Sequence, residues 1–191
     1  MIENQAKNSK KDKILNVIFI AISVILICFM FFTVKFWISL SVVKGDSMNP
    51  SLQSGDILIT NMLTTPKRGE VVVFKFDENN DYIKRVIAIS GDTIYNDENG
   101  DVWLKKAGEK EATKLKESYL KDGTKTFYNI DGTFSYEIKE NEFFVLGDNR
   151  GNSEDSRYFG PINSDRIIGV VHEFWIDKKQ ITTQIFAFIG N

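Results

Sequence analysis

From residue 14 to residue 34 the chain reads ILNVIFIAISVILICFMFFTV, without a single charge. A helix needs about 20 predominantly apolar residues to cross a hydrocarbon core about 30 Å thick. This run therefore predicts a membrane-spanning first element, and the rest of the chain must be built outside it. Asn16, Ser23 and Thr33 are its clear polar residues. Lys7, Lys10, Lys11 and Lys13 precede it, against Glu3 and Asp12. The positive-inside rule places residues 1–13 in the cytoplasm and everything after Lys35 on the outer side. A cleavable secretory signal would have an apolar region of about 7–15 residues followed by a small-x-small site. Here the run is longer, and Lys35, Phe36, Trp37 and Ile38 follow it. The expectation is an uncleaved anchor over residues 14–35, with Trp37 either at the membrane interface or opening the first strand.

Composition narrows the chemistry. The chain has one cysteine, Cys28, inside the apolar run, and one histidine, His172. An intrachain disulfide, a cysteine zinc site and a multi-histidine zinc site are thereby excluded. A Ser-His-Asp triad would need His172, whose surroundings form no motif; it reads as a structural residue of a late strand. A serine nucleophile in this chain would take lysine as its base. The net charge of -2 argues against a nucleic-acid partner. No cofactor and no metal are expected.

After the anchor the pattern becomes short β-like runs between turn residues. Strands are expected near 40–43, 57–59, 71–76, 82–89, 142–146 and 167–175. Pro66, Arg68 and Gly69 make one turn, and Ser90-Gly91-Asp92 closes another. No long amphipathic helical period appears outside the anchor. The expected fold is mainly β with an N-terminal transmembrane helix, the outer domain covering residues 36–191. Residues 94–140, rich in Lys, Glu, Asp, Asn and Gly, read as an inserted lobe or a long hairpin excursion. The apolar stretch 181–189 is too short to span a bilayer as a helix.

Three clusters could carry chemistry. Gly45 and Pro50 bracket a turn that would present Ser47, although most serines in such turns are structural, and the glycine of a nucleophile elbow is missing. In 82–89, strand alternation puts Tyr82, Lys84, Val86 and Ala88 on one face and Ile83, Arg85, Ile87 and Ile89 on the other. A lysine on an apolar face loses stabilisation of its charged form, so its pKa falls toward neutrality and it can act as a base. The plainer reading is an edge-strand lysine with a solvated head. The third cluster, 147–161, is a dense polar loop leaving an apolar strand. It can hold a site through Asp–Arg pairs, or it can be a solvated or calcium-like loop, though Asp148, Glu154 and Asp155 do not follow EF-hand spacing.

In this order after an N-terminal anchor, the three clusters resemble bacterial type I signal peptidases, of the Gram-positive kind. The nucleophile box Ser-Met-x-Pro-Thr/Ser-Leu is matched by Ser47-Met48-Asn49-Pro50-Ser51-Leu52. The base box is matched by Lys84-Arg85-Val86 with Gly91-Asp92. The last box, Gly-Asp-Asn-Arg-x-x-Ser-x-Asp-Ser-Arg-x-x-Gly, is matched at every fixed position from Gly147 to Gly160.

The resemblance implies a signal-peptidase-like β-barrel or sandwich and a membrane-anchored serine endopeptidase. Its substrates would be secreted preproteins, cut after small-x-small sites close to the bilayer and the secretion translocon. It implies that Ser47 attacks the scissile carbonyl and Lys84 takes its proton. Ser153 would hydrogen-bond the Lys84 amine, and Asp155 and Arg157 would pair beneath the dyad. Asp148 and Arg150 would do similar supporting work, with Arg85 and Asn149 beside them, and Met48 would line the substrate groove. The oxyanion hole would use the Ser47 N–H; where some members add a hydroxyl two residues earlier, this chain has Gly45. Ser47 lies about a dozen residues past the anchor, which at ~3.3–3.6 Å each reach at most about 45 Å. Rival readings are a catalytically silent relative acting as an assembly factor or chaperone in pilus formation, a Ser-Lys protease of the self-cleaving repressor type, and a membrane-tethered binding module. The first lacks a dyad residue and the second carries DNA-binding segments; the complete last box speaks against the third.

Overall fold

A computed structural model describes residues 2–129 and 132–171, with the side chains of 2–12 and 32–37 left aside. His172 and the 181–189 stretch lie outside the described residues, as does the end of the last expected strand. The chain divides after Ile38 into two compact units.

The first unit is helix α1 (Ile2–Trp37). Its segment Lys13–Phe31 is long and apolar enough to cross a membrane, and none of it is buried. A helix that is apolar all round belongs in a core or a bilayer, and Leu15, Phe19, Ile25 and Phe31 are each about two-thirds exposed. Ser23 Oγ donates to Phe19 O at 2.9 Å. That bond satisfies a hydroxyl which would otherwise be costly in hydrocarbon. The helix begins well before the apolar run, so the lysine-bearing segment ahead of it is helical too.

The second unit is mainly β. Seven strands form one sheet in the order β1-β2-β11-β3-β4-β9-β10. They are β1 (Ile38–Val42), β2 (Ile57–Asn61), β3 (Val71–Lys75), β4 (Asp81–Ile89), β9 (Glu142–Leu146), β10 (Ile162–Asn163) and β11 (Ile167–Val171). The central strands are rich in Val, Ile and Phe, which suit a half-buried pleated surface. Four further strands, β5 (Thr93–Asn96), β6 (Val102–Lys105), β7 (Thr113–Lys114) and β8 (Ser135–Glu137), form a second sheet in the order β7-β6-β5-β8.

The second sheet occupies the polar region expected as a lobe, but it has no core of its own. Ile94, Val102, Leu104, Phe134 and Ile138 pack in one cluster with Ile87, Ala88, Phe144 and Leu146 of the first sheet. A second cluster gathers Val72, Phe74, Val86, Phe143, Val145 and Ile162. A third, smaller one contains Val43, Met48, Leu52 and Leu58.

Strand β4 departs from simple alternation. Its pairing with β9 shifts register between Val86 and Ala88. Tyr82, Val86 and Ile89 therefore share one cluster while Ile87 and Ala88 share another. The expected faces hold for Tyr82, Lys84 and Val86 and fail for Ala88 and Ile89. An extra residue in one strand exchanges the faces of everything beyond it.

Candidate active site

The turn before β2 carries Ser47, and β4 carries Lys84. Lys84 Nζ donates to Ser47 Oγ at 2.9 Å and to Ile83 O at 3.1 Å. Lys84 is only 4% exposed. Burial lowers its pKa from the ordinary lysine value of 10.5 to about 8, against the opposing pull of Asp155 and Glu154. The Tyr82 ring centroid lies 4.9 Å from Nζ. An amine with a midpoint near 8 is partly neutral at physiological pH, and its lone pair then points at a hydroxyl within hydrogen-bond reach.

The turn holding Ser47 is fixed from a distant part of the chain. Asn149 N–H donates to Ser47 O and its Nδ2 to Asp46 O, both at 3.0 Å. Met48 anchors the turn from inside, at 1% exposure in the third core cluster. Met48 also borders an open cleft of about 900 Å³, together with Gly45, Ser47, Tyr82, Lys84 and Glu154. Gly45 sits at φ +81°, in the left-handed region that favours glycine, although a Cβ there would meet nothing within 4 Å. Backbone conformation, not crowding, selects it. Among the described residues no acceptor takes the Ser47 N–H.

Beyond β9 the polar loop folds back on itself. Asp155, fully buried, accepts from Gly147 N–H at 3.0 Å and from Arg157 Nε and NH2 at 2.7 and 2.8 Å. It also caps the short helix α2 (Ser156–Phe159) by accepting from Arg157 N–H. Ser156 Oγ accepts from Val145 N–H. A buried carboxylate carrying this many donors is stable only with all of them in place.

Gly147 is the tightest point. A Cβ there would stand 2.5 Å from Ser47 O and closer still to Ser153 Oγ. Ser153 is where the structure differs from expectation. Its Oγ is buried and makes no hydrogen bond among the described residues, so it is not bonded to Lys84. The amine spends its contacts on Ser47 Oγ and Ile83 O instead.

Asp148 and Arg150, expected in parallel roles, face different partners. Asp148 takes Arg85 as a bidentate pair at 2.9 and 2.6 Å. Arg150 donates from Nε to Gly147 O, from NH1 to Thr126 Oγ1 and from both terminal nitrogens to Glu117. Burial alone would lower the Arg150 pKa, but Glu117 carries it above the ordinary arginine value. The sequence reading missed Glu117, Thr126 and Tyr119, whose ring lies 4.0 Å from the Arg85 guanidinium. They sit in the polar connection between β7 and β8, where no motif or periodicity marks them. It also missed the Arg68–Asp92 pair, in which a buried carboxylate holds the ends of β4 and β6 together through Ile89 and Ala107 N–H.

Comparison with known proteins finds a family model and individual relatives. A family model described as signal peptidase, peptidase S26, matches residues 16–176. Signal peptidase IB of Staphylococcus aureus strain Mu50 is 33% identical over 184 residues, covering 87% of this chain and 91% of that protein. Signal peptidase I V of Bacillus subtilis strain 168 is 38% identical over 137 residues, covering 69% and 82%. A crystal structure of a signal peptidase I from Enterococcus faecalis V583 overlaps at TM-score 0.44 and 24% identity, covering 57% of this chain and 98% of that one.

Proposed function

The chain belongs to the peptidase S26 family of signal peptidases, serine endopeptidases that remove signal peptides from preproteins, and we propose that within it Ser47 is the nucleophile and Lys84 the general base. The observation that carries this assignment is the 2.9 Å contact between a 4%-exposed lysine amine and the Ser47 hydroxyl.

Neutral Lys84 takes the hydroxyl proton as Ser47 Oγ attacks the scissile carbonyl. The resulting ammonium returns that proton to the departing amine. A water molecule activated by the same amine then hydrolyses the acyl-enzyme. The Ser47 N–H is the donor we assign to the developing oxyanion, because it has no other acceptor among the described residues. Gly45 leaves that donor without help from a neighbouring hydroxyl. Asp155 and Arg157 hold the loop under the dyad, Asn149 fixes the nucleophile turn, and Met48 supports it from the core while bordering the cleft.

The same reading places the N-terminus in the cytoplasm, α1 across the membrane, and the catalytic unit on the outer side, close to the secretion translocon. Leu40 and Val42 on β1, exposed at 70% and 55%, and Leu63 after β2, exposed at 66%, offer apolar side chains to a lipid surface. Cleavage is assigned to small-x-small sites, where the cleft beside Ser47 receives the chain emerging from the bilayer.

The test is processing of a preprotein bearing an Ala-x-Ala site by wild type, Ser47→Ala and Lys84→Ala in detergent or in vesicles. Loss of cleavage by at least about 10³-fold is expected in each variant. Cleavage retained by either one overturns the dyad.

A further inference from the structure

We propose that residues 115–128, the long connection of the second sheet, are a positioning element for the catalytic loop, with Glu117 as its central group. The proposal rests on the Ser47–Lys84 assignment above and gives this connection a part in catalysis.

Three arginines flank the dyad loop, and this one connection touches all three. Glu117 Oε1 and Oε2 accept from Arg150 NH2 and NH1 at 2.5 and 2.9 Å. Thr126 Oγ1, buried, accepts from Arg150 NH1 at 2.6 Å. Phe127 O accepts from Arg157 NH1 at 2.8 Å. The Tyr119 ring lies against Arg85, and its hydroxyl donates to Glu117 Oε1 at 2.5 Å. Arg85 directly follows Lys84, while Arg150 and Arg157 belong to the loop that closes on Ser47.

The path from Glu117 to the nucleophile is short. Arg150 Nε bonds Gly147 O. Gly147 leaves no room for a Cβ between Ser153 and Ser47 O. Asn149, one residue before Arg150, holds Ser47 O and Asp46 O. A guanidinium with 1% of its side chain exposed, facing a carboxylate with 11% exposed, is a rigid bidentate link. If Glu117 is removed, the buried Arg150 keeps only Gly147 O and Thr126 Oγ1 as hydrogen-bond acceptors and the weaker field of Asp148, and it is driven from its place. The Gly147–Arg150 segment then loses the bonds that set the Ser47 turn.

Lys84 itself feels Asp155 and Glu154, and not Glu117. The proposal therefore predicts a loss of geometry without a change in the base's titration. A misplacement of about 1 Å at the reacting atoms costs on the order of 10²-fold in rate.

The experiment measures kcat, KM and the pH–rate midpoint of the full chain in detergent micelles, for wild type, Glu117→Gln and Thr126→Val. The folded fraction of each is fixed by circular dichroism, and Ser47→Ala runs in parallel. The expected result per folded molecule is a kcat lowered about 10- to 100-fold in Glu117→Gln. The fall is smaller in Thr126→Val, KM stays within about twofold of wild type, and the midpoint does not move. A kcat equal to wild type in folded Glu117→Gln overturns the proposal, as does a shifted midpoint or a loss confined to KM. If Glu117→Gln fails to fold, Thr126→Val with wild-type kcat overturns it. Cleavage by Ser47→Ala would instead remove the dyad reading, so the two failures are distinguishable.

Discussion

With Lys84 as the proposed base, its burial has a quantitative consequence for the pH dependence of cleavage. At the ordinary lysine value of 10.5, about 3 amines in 10,000 would be neutral at pH 7. At about 8 the fraction is roughly one in eleven. Burial therefore raises the population of neutral Lys84 amine about 300-fold at neutral pH. The rate constant kcat/KM for an Ala-x-Ala peptide, measured from pH 6 to pH 10, should climb about tenfold between pH 7 and pH 9 and then level off. An unperturbed lysine would instead give a log-linear rise of about 100-fold over the same interval, with no bend. A log-linear rise without a bend would refute the argument from burial. So would a midpoint near 6.5 that disappears in His172→Ala.

The same shift is a statement about stability, with the opposite sign to catalysis. The folded value lies below the unfolded one, so between about pH 8 and pH 10.5 the unfolded chain binds more protons and stability rises with pH. Below about pH 8 the whole penalty is present, roughly 3 kcal/mol. Lys84→Met should thus be inactive yet more stable at pH 7, by up to roughly 3 kcal/mol, with the gain fading toward pH 10.5. Chemical denaturation at several pH values reads this directly.

Other outcomes follow from neighbouring contacts. Glu154 raises the Lys84 value, so Glu154→Gln should move the acid limb of the pH–rate curve to lower pH; a limb displaced upward would contradict this. Gly147→Ala drives a methyl into Ser47 O and Ser153 and should cost roughly 1–3 kcal/mol, with loss of cleavage in whatever folds. Asp148→Ala leaves Arg85, 13% exposed on its side chain, without its bidentate partner. It should destabilise by about 3 kcal/mol, read from the thermal midpoint.

The legible part of the molecule was that governed by local rules. The uncharged run gave the helix, and the Val/Ile/Phe runs gave β3, β4 and β9, because burial on a pleated sheet leaves a mark in adjacent residues. Strands β5 and β6 are only four residues long, and they alternate buried with partly exposed side chains inside a charged stretch, so their signal is weak. The bulge in β4 adds one residue to a register and leaves no trace in composition, which is why Ala88 and Ile89 were placed on the wrong faces. Ser47 and Lys84 were legible by type and by family likeness. Their contact, which joins residues 37 apart, followed from that likeness alone and from no local pattern. The Ser153 bond was expected from likeness alone, and the packing of its hydroxyl against Gly147 replaces it. Glu117 was illegible because its meaning lies in Arg150, 33 residues away.

The hold of Asn149 on the Ser47 turn also bears on when the protein becomes a protease. Asn149 and Asp46 are 103 residues apart, and contacts of such separation close late because the intervening chain must be ordered first. A chain emerging from the ribosome carries Ser47 and Lys84 long before the loop whose Asn149 holds the Ser47 turn. Without residues 147–157 the Ser47 turn lacks both of the bonds that Asn149 gives it. On the proposed assignment, a nascent or truncated chain holds Ser47 and Lys84 before the contacts that seat them exist, and cleavage is expected only from the completed fold.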